Sequence, residues 1–316
     1  MPKQKDTGKA FEYALINEAN NIFGKRGFAI NLIKDVTYNT TVGSYNTFNS
    51  STQKRYSEAA MTAIDHIISL EPRLVTPASA LDVLTLQLLP DSAGKTGDVR
   101  DVLFIRSNQA WEIGISAKNN HMALKHSRLS NTIDFGSEWV NVPCSTIYTK
   151  AIAPIFNQLT AFKTQHVKWN AVGNKSTQFY LPILRAFDTE LSLINSNNAN
   201  IPQALLSYLI GRNDFYKVIK RAKVVEILAF NLHGTLGRNI GKLRSVTPIP
   251  RLSLPTQIIQ SQIETGKKGT LSLICDKGWQ LAFRIHSAEK IVNHSLKFDV
   301  NLVGKPQSMY SHHIAY

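Results

Sequence analysis

Cysteine is nearly absent from this chain: Cys144 and Cys275 are its two, among 316 residues. Two thiols make neither a disulfide framework nor a cysteine-rich zinc cluster, and they fit a reducing, intracellular setting. Long apolar runs are missing as well. No stretch reaches the ~18 residues of a membrane-spanning helix, and the opening MPKQKDTGKAFEYAL lacks the apolar centre of a secretion signal. No GxGxxG, P-loop or GxSxG occurs in a suitable context, so dinucleotide, nucleoside-triphosphate and serine-hydrolase chemistry find no support.

Acidic residues are the third shortage. The chain has 22 Asp+Glu against 36 Lys+Arg, a net charge of +14. Residues 211–316 hold 16 of the basic residues but only 6 of the acidic ones, so +10 of the excess lies in the last third. That asymmetry points to a polyanionic partner, nucleic acid before an acidic membrane surface; the plainer alternative is a merely soluble basic surface.

Hydrophobic residues make up 43% of the chain, enough for a sizeable core, and its length accommodates two domains. Asp6-Thr7 reads as a helix start, with Phe11, Ala14, Leu15 and Ile22 at helical spacing up to Gly24. Thr52 to Leu70 repeats the pattern with Ala59, Ala60, Ala63, Ile64 and Ile67. Helical spacing returns at Ile152–Phe162, Phe179–Ile194 and Pro202–Leu209, and NSNNAN (Asn195 to Asn200) is the clearest linker-like break. Strands are expected at Leu81–Leu89, in VVEILAFNL, in the hairpin TLSLICDKGWQLAFRIHSA with DKG as its turn, and from Leu296 to Leu302. TPIPRLSLP reads as an extended, proline-spaced segment. Asn119 or Asn120 is expected to cap a helix through MALKHSRLS, and DFYKVIKRAK to form a short basic helix. His66 is expected to be packed, and His312-His313 to be a frayed tail.

DVLFI and WEIGISA, separated by SNQ, read as a β-hairpin. A turn centred on Asn108-Gln109 sets Leu103 opposite Gly114 and Asp101 opposite Ser116. Lys118 is then diagonal to Asp101 on the same face, within the ~7–8 Å reach of diagonal neighbours. Trp111, Ile113, Ile115 and Ala117 point the other way, towards a core. The plain reading is a salt bridge at a fraying sheet end. Against it stands the cationic run that follows, Asn119, Asn120 and His121, then Lys125, His126, Ser127 and Arg128, which suits phosphates.

The stretch GDVRDVLFIRSNQAWEIGISAKNNHMALKHSRLSNTIDFG resembles the HaeIII-type restriction endonucleases, a branch of the PD-(D/E)xK nuclease superfamily. GKAFEYAL near the start and GRNDFYKVIK…HGTL later resemble the same family, so the similarity spans most of the chain. The resemblance implies an α/β, restriction-endonuclease-like core, a mixed sheet flanked by helices, with a basic β-rich C-terminal region. With the basic, β-rich last third, it suggests a catalytic nuclease core at residues 1–200 and a DNA-recognition region at 201–316. It further implies cleavage of duplex DNA at GGCC to blunt ends with magnesium (Mg2+), in the bacterial cytoplasm, beside a DNA methyltransferase acting on the same site. The alternatives are a repair or junction-resolving nuclease, or a non-catalytic nucleic-acid-binding protein.

On this reading Asp101, Lys118 and Ser116 are catalytic, with Ser116 standing where the family pattern usually has an acid. Asp101 and the Ala117 carbonyl are metal ligands, and the second carboxylate comes from Glu12, Asp98, or a migrated Asp134 or Glu138. Glu112 lies towards the turn, ~13 Å from Ser116 at ~3.3 Å per residue. Pro90-Asp91 matches the literal PD lettering but precedes a loop and is set aside. Lys217, Lys220, Arg221 and Lys223 are expected at phosphates. Base readers are sought among Gln280, Arg284, His286, Lys297, Asp299 and Asn301, because a G·C site offers acceptors to Arg or Lys and a donor to Asp or Glu. A palindromic target favours a homodimer.

Overall fold

A computed structural model of the chain describes residues 4–264, 269–287 and 289–316; Ala288, the last residue of the expected hairpin, lies outside them. The chain forms two compact units. The first comprises residues 1–121, 211–252 and 308–316, and the second residues 122–210 and 253–307.

The first unit is built on a mixed seven-stranded sheet, β1 (Ile30–Leu32), β2 (Leu84–Leu88), β3 (Val102–Arg106), β4 (Trp111–Asn119), β6 (Phe215–Lys220), β7 (Val224–Phe230) and β12 (Ser311–Ala315), in that spatial order. β1 runs parallel to β2 and β4 parallel to β6; the remaining neighbours are antiparallel. One face is covered by α1 (Gln4–Lys25) and α3 (Ser50–Leu70), with α2 (Val36–Asn46) packed on α1. Phe11, Ala14 and Leu15 of α1 and the Ala59, Ala60, Ala63, Ile64, Ile67 stripe of α3 form one core with Ile113, Ile115, Ala117, Tyr216 and Val218. Fully burying each large apolar side chain contributes about 1.5–3 kcal/mol, so the helical periodicity and the strand alternation meet in the same driving force.

The second unit is an antiparallel five-stranded sheet, ordered β5 (Ala123–Leu129), β11 (Leu296–Gly304), β10 (Gln280–His286), β9 (Thr270–Cys275) and β8 (Ile258–Ile263). It is accompanied by α4 (Phe135–Val140), α5 (Thr146–Thr164), α6 (Leu181–Asn197) and α7 (Ile201–Ile210). Phe187 of α6 anchors the inner face, with ring centroids 4.6 Å from Phe135, 4.9 Å from Phe298 and 5.5 Å from Phe283.

Several expectations are corrected. MALKHSRLS is a strand, not an Asn-capped helix: β5 pairs with β11 from Leu129↔Leu296 to Lys125↔Val300. Its Ala, Leu, Lys and Arg have helical propensity, and cross-strand pairing overrides it. DFYKVIKRAK is likewise a strand, β6, held between β4 and β7. His312-His313 is not frayed but sits in β12, paired with β7, and the His312 ring stacks on His66 at 4.6 Å. NSNNAN merely separates α6 from α7 inside the second unit. The compact units also do not divide near residue 200. Parallel strands need a long crossover, and the one between β4 and β6 contains residues 122–210 of the second unit, so β6 and β7 return to the sheet of β4.

Candidate active site

The hairpin has the expected register. Val102 faces Ile115 and Leu103 faces Gly114, and the Asp101 N–H donates to the Ile115 carbonyl at 2.7 Å. Asp101 sits immediately before β3, where the ladder ends, so its side chain is free to turn towards β4. Its Oδ2 accepts the Ala117 N–H at 2.6 Å and Lys118 Nζ at 3.3 Å. Acid and amine therefore converge at one end of the sheet, both largely shielded from water.

Helix α1 brings another carboxylate, that of Glu12, near Asp101. Within GKAFEYAL, Ala10, Phe11, Ala14 and Leu15 enter the core, while Lys9 and Glu12, one turn apart, form an ion pair at 2.9 Å. Glu12 is 6% exposed. Burial and the neighbouring Asp101 carboxylate push its carboxyl up to about 7, while Lys9 and Lys118 pull the other way. Lys9 also reaches Asp91 at 2.6 Å, so the PD aspartate that was set aside touches the lysine beside Glu12. Burial opposes the Lys9 charge, yet Glu12 and Asp91 hold its pKa above the ordinary lysine range.

Lys217 was expected at a phosphate. Instead it pairs with Ser116 across β4 and β6 and is 1% exposed, as is Ser116. Burial, then the nearby Lys118 charge, drives its pKa well below the lysine range, with Asp101 opposing. Sequence reasoning missed Lys9 and misplaced Lys217. The signals were the i,i+3 Lys–Glu spacing and the strand-like alternation of FYKVIK.

Asp98, an expected metal ligand, is already engaged by other side chains. Arg100 takes both its oxygens, at 2.9 and 2.7 Å, and Asn213 adds a bond at 3.1 Å. The same guanidinium reaches Glu112 at 2.7 Å. Arg100 lies across Gly114, where a Cβ would come within 2.3 Å of its Cδ, so this strand position requires glycine. Asp134 caps α4 through the Ser137 N–H at 3.0 Å and also accepts the Cys144 N–H. Glu138 is exposed on α4.

The remaining DNA-contact candidates scatter. Asn119 ends β4 with its Oδ1 buried, and Asn120 turns the chain with φ 61° while its N–H donates to Lys220 at 2.8 Å. His121 is half-buried. Lys220 lies near the rings of Tyr56 and Tyr316, and Arg221 pairs with Glu226 at 2.6 Å. In the second unit Lys125 and Ser127 face inward: Lys125 Nζ sits 3.6 Å over the Tyr208 ring, and Ser127 is 3.1 Å from the Tyr208 hydroxyl. They share no ridge with Arg128. His126, Arg128, Arg284 and Lys297 lie on the other face of that sheet.

Comparison with known proteins places the whole chain in a family. The family model for the HaeIII restriction endonuclease matches residues 8–306. The chain belongs to the HaeIII restriction endonuclease family. It is 40% identical over 310 residues, 97% of its own length and 96% of the other's, to the type II restriction enzyme HaeIII of Haemophilus aegyptius. No solved structure matches it. All three family-like stretches contribute to the first unit. Asp214 of GRNDFYKVIK accepts the backbone N–H groups of Leu232, His233 and Thr235, at 2.6–2.9 Å, and so fixes the HGTL loop after β7.

A nuclease of this family acts on DNA. The donors at its candidate site are oxygen atoms, the carboxylates of Asp101 and Glu12, and among the described residues no group of three or more His, Cys, Asp or Glu is assembled. Two carboxylates suit a hard divalent cation, which keeps several waters. Among the described residues no helix is long and apolar enough to cross a membrane.

Proposed function

We propose that this chain is a type II site-specific deoxyribonuclease that hydrolyses phosphodiester bonds of duplex DNA at GGCC, leaving blunt ends, with Mg2+ as cofactor. The observation that carries the proposal is the convergence of Asp101 and Lys118 on one hydrogen bond at the sheet end, with Glu12 beside them. The arrangement fits a PD-(D/E)xK core in which Asp101 opens one strand and Ser116-x-Lys118 closes the next. Asp101, Glu12 and the Ala117 carbonyl are the groups that would hold the cation, which when bound polarises the phosphate and acidifies a water. Lys118 orients the attacking water and neutralises the charge that develops on the non-bridging oxygens. Buried Ser116 and Lys217 line the strand face behind it. The first compact unit then carries the chemistry, and the second carries target recognition. A palindromic site is met most simply by a two-fold dimer, and a methyltransferase modifying the same sequence would protect the host DNA in the bacterial cytoplasm.

The test is digestion of a plasmid of known sequence with magnesium or with EDTA. Discrete fragments ending within GGCC are expected with magnesium only. Lys118→Ala should bind the same DNA and cut about 10²–10³-fold more slowly. Structure-dependent nicks would indicate a repair enzyme, a gel shift without cutting a binding protein, and an alanine variant cutting at the normal rate would remove Lys118 from the chemistry.

A further inference from the structure

The outer face of the five-stranded sheet carries a rung of three polar residues. Arg284 of β10 stands opposite Asp299 of β11, which stands opposite His126 of β5. Asp299 is 8% exposed and accepts Arg284 at 3.3 Å while facing His126 Nδ1 at 3.2 Å. Burial favours its neutral form, but His126 foremost, then Asn301 and His286, hold its pKa down to about 2. Arg284 itself is more than half exposed. The adjacent rung is His286, Lys297 and Arg128, and beyond β10 the same face continues into a groove lined by Ser272, Gln260 and Gln262.

The carboxylate decides what this rung is for. An arginine meant only to attract phosphate gains from undiluted positive charge, and a buried aspartate beside it cancels part of that charge. What the aspartate supplies is orientation: it spends one edge of the guanidinium and fixes the direction of the remaining donors. A fixed arginine fork is the complement of guanine O6 and N7 in the major groove. The rung from β5 to β10 spans two strand spacings, about 10 Å, within the ~12 Å width of that groove. The flanking Arg128 and Lys297 supply the attraction that the central rung gives up.

We propose that Arg284, held by Asp299 beside His126, reads a guanine in the major groove of duplex DNA and so sets target specificity. The inference rests on the DNA-cleavage reading above, and its test uses binding, so that the two can fail separately. Reference and variant proteins both carry Lys118→Ala, with magnesium present. Each is titrated against a GGCC duplex and against a panel with single base pairs replaced. Arg284→Ala should weaken GGCC binding about ten- to hundred-fold and leave binding to one member of the panel nearly unchanged, so that discrimination at that pair disappears. Arg284→Lys, which keeps the charge and loses the fork, should behave like the alanine variant, and Asp299→Asn should show the same pattern more weakly. A uniform loss across the panel with a reduced salt slope would make Arg284 a phosphate contact and overturn the proposal. Unchanged discrimination in a variant with a normal thermal midpoint would overturn it as well.

Discussion

The two sheets use the same kinds of side chain under opposite conditions of solvent. On the seven-stranded sheet and the α1 helix beside it, Asp101, Lys118, Glu12, Lys9 and Lys217 are largely withdrawn from water: burial and then Asp101 raise Glu12 to about 7, and burial and then Lys118 drive Lys217 far below the lysine range. In the five-stranded sheet one carboxylate, Asp299, is nearly buried, and Arg284, His126 and Arg128 stand around it in solvent. Shielded charges interact strongly because the surrounding dielectric is low, whereas exposed ones are screened and matter through geometry. On the proposed reading a basic composition has two separable meanings here, chemistry where it is buried and recognition where it is oriented on a surface.

The comparison breaks first, if it is wrong, at the two acids once competing for the same role. Glu12→Gln should slow cleavage on the order of 10²-fold and raise the magnesium needed for half-maximal rate, because it removes one of two carboxylates. Asp98→Asn should leave that magnesium requirement in place and lower the thermal midpoint, since it unseats Arg100 at a cost of about 1–3 kcal/mol. Equal metal titrations for the two variants would dissolve the distinction.

A smaller effect separates the two faces of β5. Arg128→Ala should reduce the slope of log affinity against log salt by about 1. Lys125→Ala, two pleats away and folded over Tyr208, should leave the slope unchanged and alter stability alone. Salt titration of both on one duplex measures this directly.

The mildest effect concerns a buried acid outside the site. Glu71 accepts the Tyr216 hydroxyl and the Gly237 N–H on Oε1, each at 2.7 Å, while Oε2 is buried without a partner. Burial lifts its pKa from 4.5 to about 7, against those two donors. The neutral form is thus favoured by folding, so its contribution is complete below about 4.5 and is lost as pH rises through about 7. Glu71→Gln should flatten the dependence of the thermal midpoint on pH across that window.

How much of this was legible in the sequence varies with how local the cause is. The Asp101–Lys118 pairing could be read because a short turn fixes hairpin register, and register fixes faces. α1 and α3 could be read because their apolar stripes repeat at helical spacing. α2 gave little to read, being rich in Thr, Asn and Tyr and lacking an apolar stripe; its start is set by the Asp35 side chain accepting the Tyr38 N–H at 2.9 Å. β5, β6 and β12 depend on partners far along the chain, and no local pattern distinguishes ALKHSRL from an amphipathic helix. Lys217 was misplaced for the same reason: a lysine reads as exposed until the strands on either side of it are known.

The long excursion between β4 and β6 has a consequence for biogenesis. The strand that bears Lys118 acquires its second neighbour from residues 215–220, after the ribosome has delivered nearly a hundred intervening residues. Contacts of such separation carry a large loop-closure entropy and slow the folding of the sheets that depend on them. A nascent chain that has emerged only as far as β4 presents an open sheet edge, and the strands that carry Lys118 and Lys217 meet late in synthesis.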